Sequence, residues 1–318
     1  MKICLVTPAP KGSRKGNRVT AVRWARLLRE LGHRVVIAER YEGQRCDILV
    51  ALHALRSADS IRRYRAERPD APLVVTLTGT DLYGDIHTSD EARHSLEVAD
   101  RIVVLHRLAY AELPPRLHAR VRVSFQSVPD LDYPRSPRQG WFDVCVMGHL
   151  REVKDPFRTA LAARLLPPES RVRVLHLGAA LHEDMAERAR REMAENPRYR
   201  WLGERSRTKA LRILARCRIL SLTSVLEGGA NAISEALAVG VPVVGSRIAG
   251  SVGLLGEDYP GYFPVGDTAA LAGLLRRCET DAAFLADLSA RCRSLRGQFA
   301  PVLESERWAA LLREMTDA

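Results

Sequence analysis

Residues 218–245 read RILSLTSVLEGGANAISEALAVGVPVVG. The apolar run at 218–223 predicts a strand, Gly228-Gly229 a turn, 230–239 a helix stopped by Gly240, and 241–245 a second strand. Two strands joined through a helix pair in parallel, whereas an antiparallel pair needs only a hairpin. Upstream the same rhythm gives strands at 143–147 (DVCVM), 172–177 (VRVLHL) and 199–202 (YRWL), with helices at 156–166, 182–194 and 206–216. Two or three further helices are expected after residue 267. A second set precedes residue 127, with strands at 2–7, 34–38, 47–52, 73–78, 101–105 and 121–125 and helices at 19–31, 57–67, 90–98 and 106–113. Strands that are apolar almost throughout are buried on both faces. Between the two sets lies SVPDLDYPRSPRQGW (127–141), whose three prolines mark a linker. The expected fold is α/β: two doubly wound, Rossmann-like domains facing a cleft. The first covers 1–130, the linker 131–141 and the second 142–318, with the last helix able to pack back on the first domain. Ligands are expected beyond the carboxyl ends of the strands.

Composition narrows the function classes. Of 318 residues, 46% are hydrophobic and 27% charged, enough for a sizeable core and unlike a disordered chain. Aromatics at 6% argue against a stacking platform for single-stranded nucleic acid. No apolar run approaches a membrane span, and the stretch from Met1 to Pro8 is too short for a signal sequence, so a cytoplasmic protein is expected. The six cysteines (Cys4, Cys46, Cys145, Cys217, Cys278 and Cys292) form no CxxC pair and read as small buried side chains. Basic residues outnumber acidic ones 49 to 38, and the first 140 residues hold 24 of the basic and 16 of the acidic ones. That excess suits an anionic small ligand, a nucleic acid or an anionic membrane surface, and charge alone does not choose among them.

Three segments carry chemistry. The first follows the first strand: Pro8-Ala9-Pro10-Lys11-Gly12-Ser13-Arg14-Lys15-Gly16-Asn17-Arg18-Val19-Thr20. Two glycines let backbone N–H groups approach an anion, and a helix N-terminus follows. It is neither a P-loop nor a GxGxxG; a basic surface loop is the alternative, but its position favours an anion site. The second is Gly148-His149-Leu150-Arg151-Glu152-Val153-Lys154-Asp155-Pro156, after the first strand of the second domain. Asp155 is expected as an N-cap and Pro156 as the first helical residue, which places Lys154 at a helix N-terminus. The third is the opening stretch, with Glu227 just before a helix and Glu235 two turns inside it. Carboxylates accept hydrogen bonds from sugar hydroxyls, and the Gly228 and Gly229 amides can face a diphosphate. Thr80 and Asp81, in TGTD after a strand, and His53, at the end of DILVAL, are expected near the same strand ends. A histidine there serves equally well as a structural cap. Asp130-Leu131-Asp132 reads as DxD but lies in the linker and is not taken as a metal site.

Glu227-Gly228-Gly229-x-Asn231-x₃-Glu235, followed by A-x-G-x-P-V, resembles the EX7E signature of GT-B glycosyltransferases related to glycogen and sucrose synthases. The resemblance implies that Glu227 contacts the donor sugar and Glu235 the nucleotide ribose, with Gly228, Gly229, Ala230 and Asn231 around the donor. GHLREVK (148–154) is similar to the family's G-R-L-x₃-K, whose basic residues neutralise the leaving diphosphate; Lys154 matches, His149 stands where the family has Arg, and Arg151 lies close by. TPAPKGSRKGNRVTAVRWARLLRELGH, VTLTGTDLY, VMGHLREVKDPF and GSVGLLGEDYPGYFPVGD, together with the EX7E stretch, resemble the selenosugar synthases of selenoneine biosynthesis.

That resemblance implies transfer of selenophosphate onto the anomeric carbon of UDP-GlcNAc or UDP-glucose, giving a 1-selenosugar and UDP. The implied catalytic residues are Lys154, Glu227, His149 and Asp81. The implied selenophosphate residues are Gly12, Ser13, Arg14, Lys15, Gly16, Asn17, Thr20, His53 and Thr80. No cofactor or metal, no nucleic acid or membrane, and no obligate protein partner are expected. The competing readings are a general GT-B glycosyltransferase with a sugar or lipid acceptor, a UDP-sugar epimerase of the same fold, and a non-enzymatic nucleic-acid-binding protein.

Overall fold

The structure, a computed structural model, describes residues 1–13, 15–129 and 133–316. The chain folds as two compact units, Met1–Ser127 with Glu227–Gly229 and Ala300–Ala318, and Val128–Leu226 with Ala230–Phe299.

In the first unit the chain forms β1 (Lys2–Val6), α1 (Gly16–Glu30), β2 (Arg34–Ala38), β3 (Ile48–Leu52), α2 (Ala58–Glu67), β4 (Leu73–Thr76), α3 (Ile86–Thr88), α4 (Asp90–Glu97), β5 (Arg101–Val104) and β6 (Val121–Val123). The strands make one six-stranded sheet in the order β2-β1-β3-β4-β5-β6, and every pairing is parallel. Alternation along the strands fills both faces. Leu49, Ala51, Val75 and Ile102 meet Ile61, Tyr64 and Leu96 on one side. Leu5, Val50, Val74 and Val103 meet Trp24, Leu28, Trp308 and Leu311 on the other.

The second unit holds β7 (Phe142–Met147), α5 (Arg158–Arg164), β8 (Val172–Leu177), α6 (Glu183–Glu195), β9 (Tyr199–Trp201), α7 (Arg207–Ala215), β10 (Ile219–Leu222), α8 (Asn231–Val239), β11 (Val243–Ser246), α9 (Ala249–Leu255), β12 (Tyr262–Phe263), α10 (Thr268–Thr280) and α11 (Ala282–Leu295). Its six-stranded parallel sheet runs β12-β11-β10-β7-β8-β9. Gly240, at φ 77°, ends α8 in the left-handed conformation that glycine adopts without a Cβ penalty. The final helix, α12 (Pro301–Thr316), belongs to the first unit. Glu304 on it is fully buried. Its carboxylate accepts from the indole N–H of Trp24 (2.6 Å) and the backbone N–H of Ser127 (2.9 Å), with the Arg23 guanidinium 3.2 Å away. Trp24 and Trp308 meet edge to face at 4.7 Å.

This topology decides where a ligand can bind. Strand order reverses at β1, between β2 and β3, and at β7, between β10 and β8. Crevices open beyond the carboxyl ends of the strands at such switch points. The loops concerned are residues 7–15 after β1, His53 after β3, Gly148–Asp155 after β7 and residues 223–230 after β10. The sequence motifs therefore occupy the places that the topology favours.

Several local expectations need correction. The helix expected at 106–113 is a 3₁₀ stretch over Arg107–Glu112, and a single π-helical turn, Asp81–Asp85, follows the TGT segment unannounced. The helix expected from Pro156 begins at Arg158. Asp155 is not its N-cap but takes the left-handed conformation (φ 41°) and closes a 3₁₀ turn over Glu152–Lys154. The cause is tertiary: the Thr223 hydroxyl is shared between the carbonyls of Lys154 and Asp155 (3.0 and 2.9 Å) and holds them out of helical register.

Candidate functional site

In the first unit, the loop after β1 leads into α1. Gly12 has φ 86°, and the Lys11 N–H is anchored on the Glu39 carboxylate (2.9 Å), a partner the sequence did not announce. The Ser13 hydroxyl accepts from the Lys15 N–H (3.1 Å). Lys15 occupies the N-cap position of α1 with no side-chain cap, and the first turn holds no acidic residue. Lys11, Gly12, Lys15 and Gly16 are exposed and Asn17 is half-buried. Arg14 lies outside the described residues, as do Asp130, Leu131 and Asp132. Thr20 is expected among the selenophosphate residues. It is 2% exposed, and its hydroxyl oxygen takes the side-chain N–H of Gln126 at 2.7 Å.

Beyond β3 and β4, His53 sits at φ 76°, a strained position for a non-glycine residue of the kind found at functional sites. Its Nδ1 accepts from the Arg56 N–H (3.3 Å), so the ring proton is on Nε2, 3.0 Å from the Thr80 hydroxyl and 3.7 Å from the Asp85 carboxylate. Burial lowers the His53 pKa; the Asp81 carboxylate opposes that and Arg56 adds to it. Asp81, expected among the catalytic residues, is fully buried. One of its oxygens takes the N–H groups of Thr78 (2.8 Å), Gly79 (2.8 Å) and Leu82 (3.1 Å), and the other takes that of Ala54 (3.0 Å). With its lone pairs turned to the backbone, it shapes the turn that presents His53 and Thr80. Tyr83 and His106, which the sequence reading missed, pair at 2.7 Å (Tyr83 hydroxyl to Nε2). The buried Nδ1 of His106 has no partner among the described residues. Gly228 packs on this turn: a Cβ there would lie 2.3 Å from the Thr78 carbonyl oxygen, so only glycine fits. Glu227 is 8% exposed.

In the second unit, the loop after β7 is bound on three sides. The Gly148 N–H donates to the Leu177 carbonyl and the Leu150 N–H to that of Ala179, both at 2.9 Å. The Ala179 N–H donates to His149 Nδ1 (3.1 Å), and the Val225 N–H reaches the Val153 carbonyl (2.9 Å). The stem of Lys154 lies over Gly148, its Cγ 3.9 Å from where a Cβ would stand. Arg151 is exposed. Ala230, 2% exposed, precedes α8 without a side-chain cap, and Asn231 opens that helix. Glu235, one side of α8, meets the Arg207 guanidinium of α7 at 3.0 Å, a second partner that spacing did not reveal. Among the described residues no group of three or more His, Cys, Asp or Glu side chains could hold a metal ion. No helix there is long and apolar enough to cross a membrane.

Residues 136–294, half of the chain, match the family described as glycosyl transferases group 1. The protein belongs to this family. As a group 1 glycosyl transferase it carries the family's segment on the unit built around β7, where Lys154, Glu235 and the Gly148 loop lie. Solved structures agree on the fold. HepE of Anabaena, in complex with UDP and glucose, superposes at a TM-score of 0.78, with 18% identity over 99% of this chain and 100% of that one. Sucrose-phosphate synthase of Thermosynechococcus elongatus gives 0.78, with 16% identity over 99% of both chains. A glycosyltransferase of Rickettsia africae gives 0.76, with 14% identity over 99% and 98%. The fold is GT-B. No curated protein sequence matches this group 1 glycosyl transferase.

Proposed function

We propose that this group 1 glycosyl transferase is a selenosugar synthase, taking UDP-GlcNAc or UDP-glucose as donor and selenophosphate as acceptor. Selenium forms a bond to the anomeric carbon, the bond from that carbon to the diphosphate oxygen breaks, and the electron pair leaves with UDP; water then takes the phosphoryl group, so that the Se–P bond breaks, phosphate leaves and the 1-selenosugar remains. The donor half is supported by the family match and by HepE, which has been solved with UDP-glucose. The acceptor half rests on one observation, the basic glycine loop Lys11–Gly16 at a switch point, opening on a helix N-terminus without a side-chain cap. A soft, already anionic nucleophile needs an anion cradle more than a general base.

In this reading Lys154, His149 and Arg151 meet the diphosphate, with Gly228, Gly229, Ala230 and Asn231 beside it. Glu227 contacts the sugar and Glu235 the ribose. Gly12, Ser13, Arg14, Lys15, Gly16 and Asn17 hold selenophosphate, and Asp81 keeps His53 and Thr80 in place beside it. Thr20 acts from behind, through Gln126.

The test is UDP release from a panel of UDP-sugars with and without selenophosphate, with the product identified by mass. Release that needs selenophosphate, and that persists in EDTA, is the expected result. Turnover with sugar or lipid acceptors but none with selenophosphate would replace this reading with a general glycosyltransferase. UDP release with no acceptor at all would favour an epimerase.

A narrower prediction concerns the loop. Lys15→Ala is expected to raise the KM for selenophosphate about tenfold, the size of one charge-assisted hydrogen bond, and to leave the KM for the UDP-sugar unchanged. The opposite pattern, with donor affinity lost and selenophosphate affinity kept, would make the loop a donor site.

A further inference from the structure

The Gly148–Lys154 loop is held from beneath by a buried pair that no sequence motif announced. His176, on β8, is fully buried. Its Nε2 lies 3.1 Å from the Gly148 carbonyl oxygen, and its Nδ1 lies 2.9 Å from the Tyr199 hydroxyl on β9. A carbonyl oxygen only accepts, so Nε2 carries the proton and donates to Gly148. In the neutral ring Nδ1 is then an acceptor, and the Tyr199 hydroxyl donates to it. The order is fixed in one direction: Tyr199 to His176 to Gly148. Burial pushes the His176 imidazole down to about 4, which keeps this neutral tautomer at ordinary pH.

The relay acts where the backbone is tightest. A Cβ on Gly178 would lie 1.9 Å from the same Gly148 oxygen, so the strand after His176 runs directly against this peptide. One residue further on, the His149 ring is set by the Ala179 N–H. Orienting the Gly148 carbonyl therefore orients the peptide that leads into His149, and the loop on which Lys154 folds back over Gly148.

We propose that His176, with Tyr199 behind it, is a positioning residue for diphosphate binding: it fixes the Gly148 peptide so that the loop from His149 to Lys154 meets the diphosphate of the nucleotide. The inference rests on the donor reading above. A purely structural histidine would affect stability alone, whereas a positioning one separates ligands that carry a diphosphate from those that do not.

The experiment measures binding of UDP and of uridine by calorimetry to the full-length protein and to His176→Leu, His176→Gln and Tyr199→Phe, with thermal denaturation of each. His176→Leu is expected to weaken UDP about tenfold and leave uridine unchanged. Gln carries an N–H near the place of Nε2 and is expected to recover most of the loss. Tyr199→Phe removes the hydroxyl that donates to Nδ1 and holds the ring from behind, and should cost about threefold for UDP only. If His176→Leu does not fold, the Tyr199→Phe and His176→Gln ratios decide. Equal weakening of UDP and uridine, or a lower melting temperature with no change in their ratio, would overturn the positioning role. A wild-type protein that binds neither ligand would overturn the donor reading, and this inference with it.

Discussion

Lys154→Ala is expected to slow transfer by about 10²–10³-fold, the usual cost of removing one electrostatic stabiliser of a developing charge. In the proposed reaction negative charge grows on the diphosphate as UDP leaves, and a lysine held in place gains more in the transition state than in the ground state. The fold is expected to survive, because what secures this segment is backbone. The Lys154 N–H donates to the Arg151 carbonyl (2.9 Å), and the Lys154 carbonyl accepts from the Thr223 hydroxyl (3.0 Å). Neither bond involves the ammonium group. Single-turnover rates with UDP-glucose and selenophosphate, alongside melting temperatures, check this. A folded variant with near wild-type turnover would show that the loop after β7 is not the diphosphate clamp.

Gly178→Ala is the second large effect, and it acts first on stability. The new methyl group would meet the oxygen, carbon and nitrogen of the Gly148–His149 peptide at 1.9, 2.5 and 2.9 Å. All three are backbone atoms, so no rotamer change relieves the overlap, and β7 and β8 must separate where Gly148 donates to Leu177. Overpacking of this kind costs about 3 kcal/mol. In a protein of this size that lowers the melting temperature by roughly 4–5 °C. The displaced loop should also bind UDP poorly at temperatures where the variant is still folded. An unchanged melting temperature would mean that the two strands have slack at this point.

Much of this molecule was legible in its sequence because strands buried on both faces leave long apolar runs, and glycines and prolines punctuate them. The strand at 143–147, the helix at 230–239 and its stop at Gly240 needed nothing more. Candidate site residues could be nominated where polar side chains sit in loops, as with Lys11, Lys15, Lys154 and Glu227. It was illegible where a polar group hides in an apolar run. His176 lies within VRVLHL, and a period-two pattern cannot say whether such a side chain meets a carbonyl or a hydrocarbon. Asp155-Pro156 shows the other failure: a sound local rule for starting a helix lost to Thr223, a residue distant in sequence. Asp81 stands out in the sequence as a carboxylate at a strand end, and spacing alone does not show what surrounds it. Only the structure reveals the four backbone N–H groups that tie its carboxylate to the turn.

The burial of Glu304 bears on how this chain is made. Residues 1–127 contain every strand of the first sheet, yet one side of that sheet is closed by Trp308, Leu311 and Leu312. The indole N–H of Trp24 has its partner on the same late helix. During synthesis the first half therefore waits on the ribosome with an open apolar face, while the residues that build the second sheet emerge and can close on themselves. The amino-terminal portion, though made first, is finished last.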